Sequence, residues 1–179
     1  MLNVDNTVLV VIDVQEKLAR AMYEREELIE NLQKLIKGIK VLEVPIIWLE
    51  QNPRGLGSTV PEIAQLLSDL EPISKFSFSC CASESFMKEM KTLKRNHVLL
   101  AGIETHVCVY QTARDLVNLG YKVQVVADTI SSRTAKNKQI GLERIKEVGG
   151  SLTSVETALF ELLKVAEGPK FKEILKIVK

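Results

Sequence analysis

The chain is predicted to fold as an α/β protein, a doubly wound single domain whose mainly parallel sheet of about six strands is covered by helices on both faces. Three observations predict it. Strand-like and helix-like segments alternate along the whole chain, the order that builds βαβ units. The strand segments are near-continuous apolar runs without period-two alternation, as strands buried on both faces require. Hydrophobic residues make up 46% of the 179, which suffices for one domain with a sizeable core. Right-handed crossovers between parallel strands then complete a three-layer structure.

TVLVVIDVQ, residues 7 to 15, is the first strand and ends on Asp13. Helical periodicity follows over residues 24 to 43, with Leu28, Leu32, Leu35, Ile36 and Ile39 on one stripe. VPIIWLE, Val44 to Glu50, is the second strand, started by Pro45. The Gly-, Pro- and Ser-rich stretch QNPRGLGSTVPE, residues 51 to 62, is a loop at the carboxyl edge of the strands. A short helix from Ile63 to Leu70 leads to a third strand near Pro72 to Phe76. Ser83 caps a helix that runs through Leu93. The fourth strand, residues 97 to 102, passes through Gly102 into an amphipathic helix with Val109, Ala113, Leu116 and Val117 on one face. KVQVVAD, Lys122 to Asp128, is the fifth strand, followed by the polar loop TISSRTAKN and a helix from Lys138 to Val148. Gly149 and Gly150 precede a short sixth strand, SLTS, and helices at 154 to 166 and 169 to 178 close the chain.

Charge narrows the classes of partner. With 24 basic and 23 acidic residues the net charge is +1, so the chain carries no electrostatic footprint for nucleic acid, and a small-molecule substrate is expected instead. No apolar run approaches membrane-spanning length and no basic leader precedes the first strand, which predicts a cytoplasmic protein without membrane contact. Three cysteines, with Cys80 and Cys81 adjacent, make a poor disulfide framework. The two histidines, His97 and His106, form no zinc-ligand spacing.

Ligands of such sheets bind beyond the carboxyl ends of the strands, where strand order reverses. The polar residues at those ends are Asp13, Gln51, Asn52, Lys75, the stretch Glu104 to Cys108, and Asp128 to Arg133. Cys108 falls in the first turn of the helix after strand four, where free N–H groups and the positive end of the dipole favour a thiolate. That placement reads as a nucleophile elbow with sulfur for oxygen; the plainer reading is a small buried hydrophobe. Asp13, desolvated at the end of a buried strand, suits proton transfer at neutral pH, or serves as a turn residue. Lys75 would hold charged forms in place, or stand as a solvated edge charge. His97 lies at the far end of strand four, about 15 Å away, and reads as structural. His106 is two residues from Cys108, a spacing that does not face it.

VLVVIDVQEKL, KFSFS and GIETHVCVYQTARDL, taken in this order and spacing, resemble the isochorismatase-like (cysteine hydrolase) family. The likeness runs from residue 7 to about 163 and implies one Rossmann-like hydrolase domain over 1–179, with a C-terminal helical extension from about 167. It implies a catalytic triad of Asp13, Lys75 and Cys108, a cis peptide bond between Ile103 and Glu104, and an oxyanion hole made by the backbone N–H groups of Glu104 and Cys108. Nicotinamidases of this family hold a metal with aspartate and histidine after strand two; the corresponding EQNPRGLGSTVPE has no histidine, so neither metal nor other cofactor is expected. The segment WLEQNPRGLGSTVPEI is most like the metal-free, isochorismatase-domain-containing branch. True isochorismatases tend to lack the cysteine, so Cys108 implies attack on a carbonyl-like or nitrile-like carbon.

The expected function is that of a cysteine hydrolase cleaving a C–N bond of a small amide or carbamoyl compound through a thioester. Gln51, Phe76 and Arg133 are the further pocket candidates. Phe76 and Phe78 read equally well as core residues, and Arg133 as a partner for a neighbouring subunit. Two alternatives come from other classes: a non-catalytic binding or scaffold protein that keeps the fold, and a thiol redox sensor with Cys80 or Cys81 as resolving partner. The apolar stripes at Leu162, Val165, Ile174, Ile177 and Val178 fit either docking within the chain or a subunit contact, and the resemblance favours a homo-oligomer.

Overall fold

A computed structural model describes Met1–Lys179. Six parallel strands form one sheet: β1 (Thr7–Ile12), β2 (Ile46–Gln51), β3 (Ile73–Lys75), β4 (His97–Ile103), β5 (Lys122–Ser131) and β6 (Ser151–Thr153), in the order β3-β2-β1-β4-β5-β6. The order reverses between β1 and β4, so the switch point lies between the two strands most enclosed by others. All six residues of β1 and all seven of β4 are buried, as their unbroken apolar runs require.

The α-helices before β4 are the single turn α1 (Glu16–Ala19), α2 (Arg25–Val41), the turns α3 (Pro53–Leu56) and α4 (Pro61–Ala64), and α5 (Glu84–Leu93). Alternation along β1 divides the core between the two faces. Leu9 and Val11 join α2, α8 (Val155–Leu163) and α9 (Gly168–Val178). Val8, Val10 and Ile12 face the other way, toward α5, α6 (Tyr110–Asn118) and α7 (Ala135–Glu147). Leu28, Leu32, Leu35, Ile36 and Ile39 of α2 are buried together, and Ser83 caps α5 by accepting a hydrogen bond from the Phe86 N–H. The terminal apolar stripe docks within the chain except at Val165, which is exposed: Leu162 and Ile174 are buried, and Ile177 and Val178 pack on the same cluster. None of these helices is long and apolar enough to cross a membrane.

Several boundaries differ from the sequence reading: the helix read from Lys138 begins at Ala135, and that read from Ile63 begins at Pro61. The stretch after β2 is not all loop, since Pro53–Leu56 and Pro61–Ala64 form single helical turns, each with proline at its start, where the missing N–H costs nothing. The fifth strand continues past Asp128 to Ser131, because an irregularity between Leu100 and Gly102 restores pairing of Gly102 with Ile130 and Ile103 with Ser131. The first strand stops one residue short of Asp13, which takes a left-handed φ of 54°.

Gly102 is required where β4 passes β1. Its φ is +113°, and a Cβ there would lie 2.1 Å from the Ile12 carbonyl oxygen, far inside van der Waals contact. Only glycine permits this conformation and this approach.

Candidate active site

The carboxyl ends of β1, β2 and β3, with the turn after β4, bring together the residues singled out in the sequence. Asp13 leaves β1 with its N–H donated to the Leu49 carbonyl of β2. Lys75 is the last residue of β3 and lies in register with Gln51, the last of β2. Its Nζ is 2.7 Å from Asp13 Oδ2, and both side chains are wholly inaccessible to solvent. The same ammonium donates to Gln51 Oε1 at 2.8 Å and to the carbonyls of Ser77 and Phe78 at 3.2 and 3.3 Å. Lys75 is therefore not a solvated edge charge.

Burial pushes the Asp13 carboxyl above the usual aspartate range, against the opposing pull of the Lys75 ammonium, with a further lowering contribution from the Cys108 thiol. Its second oxygen, Oδ1, is buried and has no fully formed hydrogen bond. A carboxylate so placed has a free lone pair beside a thiol and a proton affinity higher than in water. Glu50, also buried, accepts from the Thr59 N–H at 2.7 Å and its hydroxyl at 2.8 Å, and its charge adds to the rise at Asp13.

Cys108 is not in the first turn of α6. It sits in a separate π-helical turn, Thr105–Val109, that precedes α6, a wide turn in which the Val109 N–H reaches the Glu104 carbonyl at 3.2 Å and a form often found at functional sites. The expected stabilisation of a resting thiolate is not met either. Burial, and then the negative charge of Asp13, push the thiol pKa up, while Lys75 pulls it down. These surroundings favour the protonated thiol over the thiolate.

The Ile103–Glu104 peptide bond is cis, and the Glu104 N–H makes no hydrogen bond within the protein. Glu104 Oε2 accepts from the backbone N–H and the Nε of Arg133, at 3.2 and 3.1 Å. Arg133 thus has an ion-pair partner in its own chain. His106 Nδ1 lies 3.0 Å from the Ser132 hydroxyl. His97 opens β4 beside Thr7 and Lys122, at the opposite end of the sheet. Phe76 and Phe78 are not core residues, being 76% and 55% exposed. Cys80 is fully buried with its pKa pushed up by desolvation to about 12, and Cys81 is likewise raised to about 11. They lie in a single 3₁₀ turn, Cys80–Ala82, not in extended chain. Nowhere do three His, Cys, Asp or Glu side chains cluster as a metal site would require.

Two residues missed in the sequence support the site. Gln15 is wholly buried, and its amide bridges β1 to β2: Nε2 donates to the Gln51 and Gly57 carbonyls at 2.9 and 2.6 Å, while Oε1 accepts the Gln51 N–H at 2.7 Å. An amide two residues past Asp13, at the end of a buried strand, was the available signal. Gly141 of α7 lies against the Cys108 turn, where a Cβ would fall 2.7 Å from the His106 nitrogen and 2.8 Å from the Thr105 carbonyl carbon.

Residues 7–157 match the model of the isochorismatase domain. The chain belongs to the isochorismatase family. Within that family it is 40% identical over 178 residues to the secreted isochorismatase effector Isc1 of Phytophthora sojae, covering 97% of this chain and 85% of that one. Identity to isochorismatase domain-containing protein 2 of Xenopus laevis is 38% over 173 residues, covering 97% of this chain and 83% of the relative. Among solved structures, MAR1 ribonuclease from Caenorhabditis elegans superposes with a TM-score of 0.92 at 37% identity, over 99% of this chain and 91% of that one. The fold is thus the isochorismatase-family hydrolase fold.

Proposed function

We propose that this isochorismatase-family protein is a cysteine hydrolase that cleaves the C–N bond of a small amide or carbamoyl compound, with Asp13, Lys75 and Cys108 as its triad. The observation that carries this reading is the solvent-free Asp13–Lys75 pair with the Cys108 thiol beside it. Asp13 takes the thiol proton as Cys108 Sγ bonds to the substrate carbonyl carbon, and the carbonyl oxygen gains the negative charge. The N–H groups of Glu104 and Cys108 receive that oxyanion. Asp13 then returns its proton to the departing nitrogen as the C–N bond breaks, leaving a thioester. Water attacks the thioester with its proton passing to Asp13, the C–S bond breaks, and the thiol is restored. Lys75 stays charged throughout and offsets the negative charge that moves between carboxylate and sulfur.

The test is a panel of small amides and carbamoyl compounds, read by amine release and by intact mass after an acid quench. The expected result is release from at least one compound, with an acyl adduct on Cys108. Both are lost in Cys108→Ser, and turnover falls at least a hundredfold in Asp13→Asn, the scale of general acid–base catalysis at roughly 10²–10⁴-fold. Release that persists unchanged in Cys108→Ser would overturn the assignment.

A further inference from the structure

Lys75 is the most weakly anchored member of the proposed triad by position, since β3 has three residues and lies at the sheet edge with β2 as its one neighbour. Its backbone is held there by two partners, a short ladder to β2 and the Asn52 N–H on the Lys75 carbonyl at 2.9 Å. Its ammonium still has to be aimed back across β2 to Asp13, the residue after β1. Gln51 lies between the two. Its amide oxygen takes one Lys75 proton at 2.8 Å, and its amide nitrogen donates to the Phe76 carbonyl at 2.8 Å, so one planar group grips both the side chain and the backbone of the β3 end. Gln51 is itself clamped through its N–H and carbonyl by Gln15. Gln15, Gln51, Lys75 and Asp13 therefore form a ring of hydrogen bonds just beyond the carboxyl end of β1, closed by the Gln15 N–H on the Asp13 carbonyl at 2.7 Å.

We infer that Gln51, seated by Gln15, is a positioning residue that fixes the Lys75 ammonium on Asp13, not a wall of the substrate pocket. The inference rests on the triad reading above. An amide is the side chain that fits. It presents one acceptor to the cation and one donor to the carbonyl, whereas a carboxylate would compete with Asp13 for the cation and repel the Phe76 oxygen. The consequence falls on sulfur. Around the Cys108 thiol, burial, Asp13 and Cys80 all oppose ionisation, and Lys75 is the group that favours it; Glu50 acts at one remove through Asp13. An ammonium that drifts from its place leaves the thiol harder to ionise.

The experiment follows alkylation of each cysteine by iodoacetamide between pH 6 and 10, by peptide mass, in the full chain and in Lys75→Ala, Gln51→Leu, Gln51→Glu and Gln15→Met. Gln51→Leu is expected to slow Cys108 alkylation about tenfold at pH 8, as loss of a hydrogen bond to a charged group would, and to move its pH profile to higher pH. Gln51→Glu moves the profile further in the same direction, and Gln15→Met moves it less. Cys80, buried in the same cluster, is the internal control, since mere loosening would speed its alkylation together with that of Cys108. If Lys75→Ala shifts the Cys108 profile and neither Gln51 variant does, the inference is overturned and the triad stands. If Lys75→Ala shifts nothing, the triad reading fails and takes the inference with it. Should Gln51→Leu not fold, Gln51→Glu, of equal size, decides.

Discussion

Replacing Lys75 by methionine leaves Asp13 as an uncompensated buried carboxyl, and the structure fixes both the size and the pH dependence of the outcome. Because neither side chain of the pair touches solvent, removal of one partner falls in the range of about 3–5 kcal/mol for broken buried ion pairs. For a chain of this size that is a drop in Tm of roughly 6 to 20 °C. The Asp13 pKa is already raised in the folded protein by burial, from an unfolded value of 3.8, and Lys75 holds it down; without Lys75 it rises further. A carboxyl with a raised folded pKa binds its proton more tightly in the native state. Its stabilising contribution is present below pH 3.8 and is lost as pH rises through the folded value. The deficit of Lys75→Met relative to the parent is therefore smallest near pH 4 and widens toward neutrality. Urea unfolding at several pH values measures this, with fluorescence of Trp48, the one tryptophan, buried and donating its Nε1–H to the Thr59 hydroxyl, as reporter. Adding Asp13→Asn to Lys75→Met should recover most of the loss, since no charge is then left buried. A deficit below about 1 kcal/mol, as for solvated pairs, and constant from pH 4 to 8 would refute the reasoning.

The Gly141→Ala substitution places a methyl group 2.7 Å from the His106 nitrogen, against backbone that has to move; it should cost about 1–3 kcal/mol as overpacking does and change the Cys108 alkylation rate, and a variant that is stable with the parent rate would count against close packing at that turn. Phe76→Ala and Phe78→Ala should each alter stability by less than about 0.5 kcal/mol and leave Cys108 alkylation unchanged, because this segment holds Lys75 and Gln51 through the carbonyls of Phe76, Ser77 and Phe78. Loss of thiol reactivity in either variant would show that the rings themselves support the site.

Much of this was legible in the sequence because burial on both faces leaves a plain mark. The unbroken apolar runs of β1 and β4 identified a parallel sheet, and the rule that ligands gather at strand ends placed Asp13, Lys75 and Cys108 among the edge residues, from which the resemblance to the isochorismatase-like family singled out the three. What could not be read were features fixed by tertiary contact. The π-helical turn around Cys108 packs closely on α7 at Gly141, an approach that no local spacing records. The rise in the thiol pKa comes from burial and from Asp13, which is distant from Cys108 in sequence. The exposure of Phe76 and Phe78 runs against their composition, since aromatic residues after a strand read as core, and here they follow the edge strand β3. Gln15 was passed over because an amide carries no chemistry of its own; its meaning lies in the Gln51 backbone groups it joins.

The sheet order also divides the site by the time at which its parts are made. Asp13, Gln15, Gln51 and Lys75 belong to the half of the sheet formed by β1, β2 and β3, and Glu104 and Cys108 to the half that begins with β4. The two halves meet along the β1–β4 ladder, which joins Thr7–Ile12 to residues some ninety positions later, from His97 to Gly102. Pairings that distant in sequence carry the largest loop-closure cost and form slowly. Asp13 and Lys75 precede Cys108 in the chain, and the three come together when that ladder closes. On the triad reading proposed above, the central seam of the sheet is the pairing that brings the Cys108 thiol beside Asp13 and Lys75.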